Sequence, residues 1–189
     1  MKSLKPKLVL ITGLSGSGKS IALRSLEDLG YFCIDNLSPT MIIQMLGVIK
    51  KSHQKVYEKV AISIDIRSIK MDNDYQKSIA ILYAELLKLD FKSTTIFLHS
   101  SNEILLSRFN ATRRLHPLTN KKVDLRTAIL KEAEIMQKLK ENANLIIDTD
   151  KLLPLDLKKE ISSKILIIKD NKDMLIQLQS FGYKNSIPN

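Results

Sequence analysis

The sequence has few of the residue types that define whole classes of protein. Its 189 residues include one cysteine, three histidines and no tryptophan. A single cysteine excludes an internal disulfide and indicates the cytoplasm as the compartment. Cys33 lies in the apolar run of residues 31–34, so we interpret it as a small core residue rather than a nucleophile. Aromatic residues make up only 5% of the chain, so stacking platforms for single-stranded nucleic acid are scarce.

Long apolar runs are lacking as well. No stretch approaches the roughly 18 apolar residues of a membrane-spanning helix. The apolar run of residues 8–11 follows three N-terminal lysines and is too short for the core of a signal peptide. The sequence therefore predicts no membrane partner.

Acidic residues are outnumbered by basic ones. The chain has 30 Lys and Arg residues against 20 Asp and Glu residues, which gives a net charge of +10. This charge favours polyanionic partners, either nucleotides or RNA. The alternative is a lysine-rich, solvated surface with no bearing on function.

The chain does contain a regular alternation of short β-branched runs with longer helical patterns. The runs predict strands at residues 8–12, 31–34, 60–64, 94–98 and 145–147. Between and after them, helical spacing predicts helices at residues 19–29, 39–49, 74–89, from 100 onward, 124–141 and 154–165. Helix starts are indicated by Ser38 before Pro39, by Ser100 and Glu103 at capping-box spacing, and by Asp124. This order predicts an α/β fold, a three-layer sandwich around a mainly parallel five-stranded sheet.

A glycine-rich segment joins the first strand to the first helix. It matches the pattern G-x-x-x-x-G-K-[ST] at every fixed position, in the order Gly13, Leu14, Ser15, Gly16, Ser17, Gly18, Lys19, Ser20. Glycines let the backbone turn its N–H groups toward phosphate oxygens, and the following helix adds the positive end of its dipole. Lys19 is predicted to contact the β- and γ-phosphates and Ser20 to bind Mg²⁺. The alternative is a Gly/Ser turn without a ligand; the strand and helix around it favour a kinase-like P-loop NTPase.

Two carboxylates follow neighbouring strands. Asp35 ends the second predicted strand and Asp65 the third, at the edge where open α/β sheets bind ligands. We predict a nucleotide-site role for Asp65 and a metal-binding role for Asp35, with loop capping as the alternative for both. His99 ends the fourth strand and has no second histidine at ligand spacing, so we interpret it as a strand-end residue.

A basic segment follows the fourth strand and its helix. It contains the residues Arg108, Arg113, Arg114, Lys121, Lys122 and Arg126. Arginine forks suit phosphate oxygens, so we predict a lid over the nucleotide in which Arg113 and Arg114 contact phosphates. The alternative is a solvated basic face.

Several longer stretches of the chain resemble the RapZ family of bacterial RNase adapter and nucleotide-binding proteins. The matching stretches are GLSGSGKSIALRSLEDL (13–29), GYFCIDNL (30–37), SIDIRS (63–68), TRRLHPL (112–118), ANLIIDT (143–149) and SFGYKNSIP (180–188). The family usually has an acidic residue where this chain has His99.

The resemblance implies a function and a division of the chain. It implies ATPase and GTPase activity, with a second motif, attributed to GTP, at Asp65, Ile66, Arg67 and Ser68. It also implies a P-loop domain over residues 1–168, with residues 169–189 as the start of a truncated C-terminal domain. In characterised members that second domain helps to bind a small regulatory RNA and to present it to an endoribonuclease. RNA binding is therefore expected to be weak in this chain.

Three functions follow from these observations. The leading hypothesis is a nucleotide-binding regulator that binds ATP and GTP with Mg²⁺ and hydrolyses these nucleotides slowly. The second is a small-molecule kinase that transfers the γ-phosphate of ATP, since the loop, Asp35 and the arginines would serve one. The third is an RNA-binding module that uses the basic segment. The oligomeric state is left open.

Overall fold

A parallel sheet of five strands organises the chain. The computed structural model describes residues 7–52, 54–71, 74–88 and 91–168. The strands are β1 (Lys7–Gly13), β2 (Phe32–Ile34), β3 (Lys59–Ser63), β4 (Lys92–His99) and β5 (Leu145–Asp148). They are arranged in the order β2-β3-β1-β4-β5, and every pairing between them is parallel. The predicted five-stranded sheet is confirmed.

The central strand β1 shows why this sheet forms from continuous apolar runs. Its residues Leu8, Val9, Leu10 and Ile11 are each at most 3% exposed. Successive side chains of a strand point to opposite faces, so a strand that is covered on both sides must be apolar throughout. The same alternation divides the core into two clusters, one containing Leu8 and Leu10 and the other Val9 and Ile11.

Helices cover both faces of the sheet and complete three layers. They are α1 (Lys19–Asp28), α2 (Pro39–Lys51), α3 (Ile66–Ile69), α4 (Tyr75–Lys88), α5 (Asn102–Thr112), α6 (Leu125–Glu141) and α7 (Pro154–Ile168). Helices α1 and α7 pack together on the face of Val9 and Ile11, whereas α2, α4 and α6 cover the opposite face. The fold class predicted from the sequence is therefore confirmed.

The predicted helix starts have different outcomes. Ser38 accepts a hydrogen bond from the Met41 amide, and Asp124 accepts one from the Thr127 amide, so both N-caps are confirmed. The capping box at Ser100 is wrong, since α5 begins one residue later with Ser101 as its N-cap and no side-chain cap. The carboxylate of Asp150 accepts hydrogen bonds from Ser100 and Ser101 there instead. The one-turn helix α3 is too short to produce a periodic signal and was missed.

Cys33 packs against the cluster around α1. It is half-buried, and its thiol donates to the carbonyl oxygen of Leu23 at 3.4 Å. Burial, with a smaller contribution from Glu27, raises the pKa of the Cys33 thiol to about 11. A thiol that stays protonated is a poor nucleophile, which agrees with its interpretation as a packing residue.

Two further predictions concern the C-terminal residues and the membrane. Residues 169–189, predicted to begin a C-terminal domain, lie outside the described residues. Within the described part, none of the helices has both the length and the apolar character required to cross a bilayer.

Helix α2 offers a matched test of the core. Leu46 is fully buried there, whereas Val48, two residues further, is 60% exposed. We expect Leu46→Ala to lower the free energy of unfolding by about 2–5 kcal/mol, because it leaves a cavity beneath the sheet. We expect Val48→Ala to stay within about 0.5 kcal/mol of the parent protein. Urea denaturation checks both, and equal effects of the two substitutions would contradict this packing of α2.

Candidate functional site

The loop between β1 and α1 lies at the carboxyl edge of the sheet and depends on glycine. Its three glycines, Gly13, Gly16 and Gly18, have φ angles of 140°, 87° and 103°, which side chains disfavour. At Gly13 a Cβ atom would lie only 2.2 Å from the carbonyl oxygen of Leu98 on β4. The backbone of β4 therefore requires glycine at the first position of the loop.

The hydrogen bonds of the loop form a compact turn that continues into α1. The Ser17 amide donates to the carbonyl of Leu14 at 3.0 Å, and the Gly18 carbonyl accepts from the amides of Ile21 and Ala22 in α1. Lys19 and Ser20 begin the helix, so their amides have no acceptor within it. These donors and the helix dipole make the start of α1 suitable for an anion.

Lys19 is held within the loop by its own backbone. Its ammonium donates to the carbonyl oxygens of Gly13 at 2.8 Å and Leu14 at 3.1 Å. Loss of hydration on burial lowers the pKa of Lys19, although the carboxylates of Glu132, Asp65 and Asp35 act in the opposite direction. The ammonium is thus bound to the loop backbone, and the charges of three carboxylates act on it.

A buried glutamate on α6 binds the loop from behind. Glu132 is fully buried, and its oxygens accept from the Ser15 amide at 2.9 Å and the Ser15 hydroxyl at 2.7 Å. Its Oε2 lies 3.0 Å from Nε2 of His116, while Nδ1 of that ring accepts the Leu118 amide. The bond to Nδ1 places the ring proton on Nε2, which therefore donates to Glu132.

These contacts keep the buried carboxylate ionised. Burial alone would raise the pKa of Glu132, but hydrogen bonds from His116 and Ser15 and the charge of Lys19 hold it below its usual value. Neither Glu132 nor His116 was predicted as a site residue from the sequence. The available signal was a glutamate between Ile129 and Met136, on the apolar face of a helix.

The side chain of Arg108, on α5, is fixed against the loop and forms part of the wall of the cavity described below. Its guanidinium donates to the carbonyl of Gly16 at 3.1 Å and to the hydroxyl of Thr149 at 3.1 Å, and also contacts the Thr149 carbonyl. Nearby, Asp150 accepts from the hydroxyl of Ser100 and the amide of Ser101. Asp150 thus supplies the acceptor that replaces the predicted capping box, and the hydrogen bond from Ser100 holds its pKa below the usual value.

A cavity of about 480 Å³ opens in front of the loop. Among the predicted site residues, those that line it are Ser15, Gly16, Ser17, Gly18, Lys19, Ser20, Asp65, Arg67 and Arg114. Arg108 lines it too, together with apolar side chains that include Phe109, Leu115, Leu153 and Leu157. The structure thus brings most of the predicted loop, the third-strand carboxylate and two arginines of the basic segment, Arg108 and Arg114, to one cavity.

Other predicted residues lie outside this lining. Gly13 and Leu14 are buried at the base of the loop. Arg113 is exposed at the end of α5, with a positive φ of 52°, and the basic residues Lys121, Lys122 and Arg126 are exposed beyond it. Asp35 is exposed after β2 and acts on Lys19 through its charge.

The second predicted motif forms the start of α3. Asp65 is its N-cap: one carboxylate oxygen accepts the Arg67 amide at 2.8 Å, and the other lies 3.9 Å from Nε of Arg67. Ile66 and Ser68 are fully buried, and the hydroxyl of Ser68 bonds the backbone of Asp65. From this motif, therefore, Asp65 and Arg67 reach the cavity.

The chemistry of the loop suits a nucleotide with magnesium. Ser20 is exposed at the start of α1, and the hydroxyl of Ser17 is buried without a hydrogen-bond partner in the described part of the chain. No group of three or more His, Cys, Asp or Glu side chains that could hold a metal ion is found among the described residues. Mg²⁺ usually binds through one or two protein side chains, phosphates and water, and Ser20 and Asp35 have oxygens of this kind.

Solved structures with a similar fold include a shikimate kinase and a gluconokinase. A shikimate kinase from Acinetobacter baumannii in complex with shikimate has a TM-score of 0.56 and 16% identity, covering 88% of this chain and 96% of the kinase. A gluconokinase from Sinorhizobium meliloti has a TM-score of 0.55 and 18% identity, covering 89% of this chain and 97% of the other. At such low identity the likeness shows the fold alone.

Two nucleotide-binding proteins are more similar to this chain in sequence than these kinases are. A nucleotide-binding protein of Shewanella baltica is 40% identical over 182 residues, and one of Pseudoalteromonas atlantica is 39% identical over 182 residues. Each alignment covers 96% of this chain but only 61% and 62% of the respective relative. The chain therefore spans about three-fifths of the length of these relatives.

The family assignment agrees with the predicted resemblance. Residues 6–169 match the model of the RapZ-like N-terminal domain. This range of the chain contains the loop, Arg108 and Glu132. The chain belongs to the family of RapZ-like N-terminal domains.

Proposed function

We propose that this domain binds ATP and GTP with Mg²⁺ at residues 13–20 and hydrolyses them slowly. The observation that carries the proposal is the convergence of the Lys19 ammonium and the first amides of α1 on one cavity. The relatives described as nucleotide-binding proteins support it. The single cysteine agrees with a cytoplasmic location, which is part of the proposal.

The residues of the loop divide the work of binding. Lys19 would exchange its two carbonyl acceptors for phosphate oxygens, which bear more charge and form stronger hydrogen bonds. Arg114, which is exposed at the rim of the cavity, would approach the phosphates from the other side. Magnesium, when bound, supplies positive charge to the phosphates, and Ser20 and Asp35 would hold it.

Slow turnover agrees with the environment of Asp65. Hydrolysis needs a group that orients the attacking water. One oxygen of Asp65 accepts the Arg67 amide and the other faces the Arg67 side chain, so the carboxylate is already engaged in capping α3. Under this proposal Asp65 contributes to the nucleotide site but orients water poorly.

A small-molecule kinase is the second candidate. The observation in its favour is Asp35, an exposed carboxylate at the end of β2 whose charge acts on Lys19. A carboxylate beside the transferred phosphate could accept the proton of an acceptor hydroxyl. The regulatory, RNase-adapter role and any binding of RNA are proposed for the full-length relatives, of which this chain spans about 61%.

The first prediction concerns Lys19. We expect Lys19→Ala to weaken the binding of MgATP and MgGTP about 100-fold, because a charge-assisted hydrogen bond is lost. Calorimetry measures the affinity, and circular dichroism confirms the fold. Lys131→Ala is the control, because it removes the same charge from an exposed position of α6. Unchanged affinity in Lys19→Ala would refute the site.

The second prediction concerns pH. Burial lowers the pKa of Lys19. The side chain is charged below that pKa, and the charge is lost as the pH rises through it. We expect MgATP affinity to fall with rising pH at a lower pH than an ordinary lysine would produce. Lys19→Arg keeps its charge throughout this range, so its affinity should stay level there. Parallel pH profiles of the two proteins would contradict the assignment.

The third prediction separates hydrolysis from transfer. We expect slow phosphate release from ATP and GTP, with a rate that small hydroxyl compounds such as shikimate and gluconate do not change. Phosphate release and phosphorylated products are measured with each compound in turn. An acceptor-dependent loss of ATP, abolished in Asp35→Asn, would instead establish the kinase.

A further inference from the structure

The buried contact between α6 and the phosphate loop has a consequence for nucleotide binding. The peptide between Leu14 and Ser15 is bonded on both of its sides. Its N–H belongs to Ser15 and donates to Oε2 of Glu132. Its carbonyl belongs to Leu14 and accepts the Ser17 amide and the Lys19 ammonium. The carbonyl and N–H of a trans peptide point in opposite directions, so fixing one of them fixes the other.

The carboxylate is itself held firmly. The hydroxyl of Ser15 donates to Oε1 of Glu132, and Nε2 of His116 donates to Oε2. His116 is only 2% exposed and lies against Phe109, with 5.1 Å between the ring centroids. A side chain with three donors in a buried setting has little freedom to move.

We propose that Glu132 is a positioning residue of the nucleotide site, which turns the carbonyl of Leu14 toward Lys19 and so fixes the loop that receives phosphate. This inference rests on the proposed function. His116 supports it by holding Glu132. The same bond anchors the segment after α5, because Arg114 at the cavity rim is two residues before His116.

A purely electrostatic role and a positioning role of Glu132 predict opposite effects of its removal on nucleotide affinity. Glu132 is negatively charged and acts on Lys19. If its charge alone mattered, its removal would reduce repulsion of a triphosphate and strengthen binding. If it positions the loop, its removal weakens binding, because the Leu14–Ser15 peptide is then free to turn and the Ser15 amide loses its acceptor.

Two substitutions at position 132 separate these roles. Glu132→Gln removes the charge but can keep all three hydrogen bonds, since its oxygen can replace Oε2 and its amide can donate to the hydroxyl of Ser15. Glu132→Ala removes both charge and hydrogen bonds. Glu134→Ala is the control, because it removes an exposed carboxylate from the same helix.

Calorimetry with MgATP and MgGTP provides the first measurement. We expect Glu132→Ala to bind at least about tenfold more weakly, because a buried donor is left unsatisfied. We expect Glu132→Gln to stay within about threefold of the parent protein, and Glu134→Ala to be unchanged. Equal losses in Glu132→Gln and Glu132→Ala, or stronger binding in either, would overturn the positioning role.

Amide hydrogen exchange provides the second measurement and needs no nucleotide. We expect the Ser15 amide to be protected in the parent protein and in Glu132→Gln, and to exchange faster in Glu132→Ala. If Glu132→Ala does not fold, His116→Phe replaces it. This variant keeps a ring beside Phe109 but removes a donor to Glu132, and we expect faster Ser15 exchange and about threefold weaker binding.

The two measurements distinguish the failure of each idea. A parent protein that binds no nucleotide refutes the proposed function, while the exchange of the Ser15 amide still decides whether Glu132 fixes the loop. A parent protein that binds nucleotide through Lys19, with unchanged affinity and exchange in Glu132→Ala or in its replacement His116→Phe, refutes the positioning role alone.

Discussion

Under the proposed function, the loop at residues 13–20 has to hold its peptide groups in one orientation before any phosphate is present. In this chain the hydrogen bonds between Ser15 and Glu132 meet that requirement, across a sequence separation of 117 residues. Two further elements hold the loop from other directions: β4 lies against Gly13, and Arg108 of α5 binds the carbonyl of Gly16. The loop is therefore shaped by the surrounding fold, and its glycines allow that shape.

Holding the loop in this way requires a buried charge. An ionised carboxylate removed from water loses several kcal/mol of hydration. Each hydrogen bond to a charged group returns about 1.5–3 kcal/mol, so three donors are of the right size to offset the loss. This balance explains why His116, whose Nε2 donates to Glu132, is buried beside the carboxylate. Without both partners the carboxylate would be strongly destabilising on the apolar face of α6.

The parts that the sequence predicted are those with local causes. The continuous apolar run of β1, the Pro39 helix start and the glycine pattern of the loop each depend on neighbouring residues, and all three predictions of structure agree with the fold. The missed parts depend on contacts between distant segments. Ser100 has the spacing of a capping residue, but Asp150, 50 residues away, binds it instead. Glu132 was missed for the same reason, because its partner Ser15 lies 117 residues earlier in the sequence.

The basic segment shows how one sequence feature can divide into several roles. It was predicted as a lid, yet Arg108 is fixed in the wall by Gly16 and Thr149, whereas Arg113 is exposed at the end of α5 outside the cavity lining. Arg114 is exposed at the rim, so its guanidinium fits the lid role predicted for the segment. Its backbone is anchored nearby through His116, which binds the same carboxylate that holds Ser15. The rim and the loop therefore share one buried contact residue, so a disturbance of either would reach the other through Glu132.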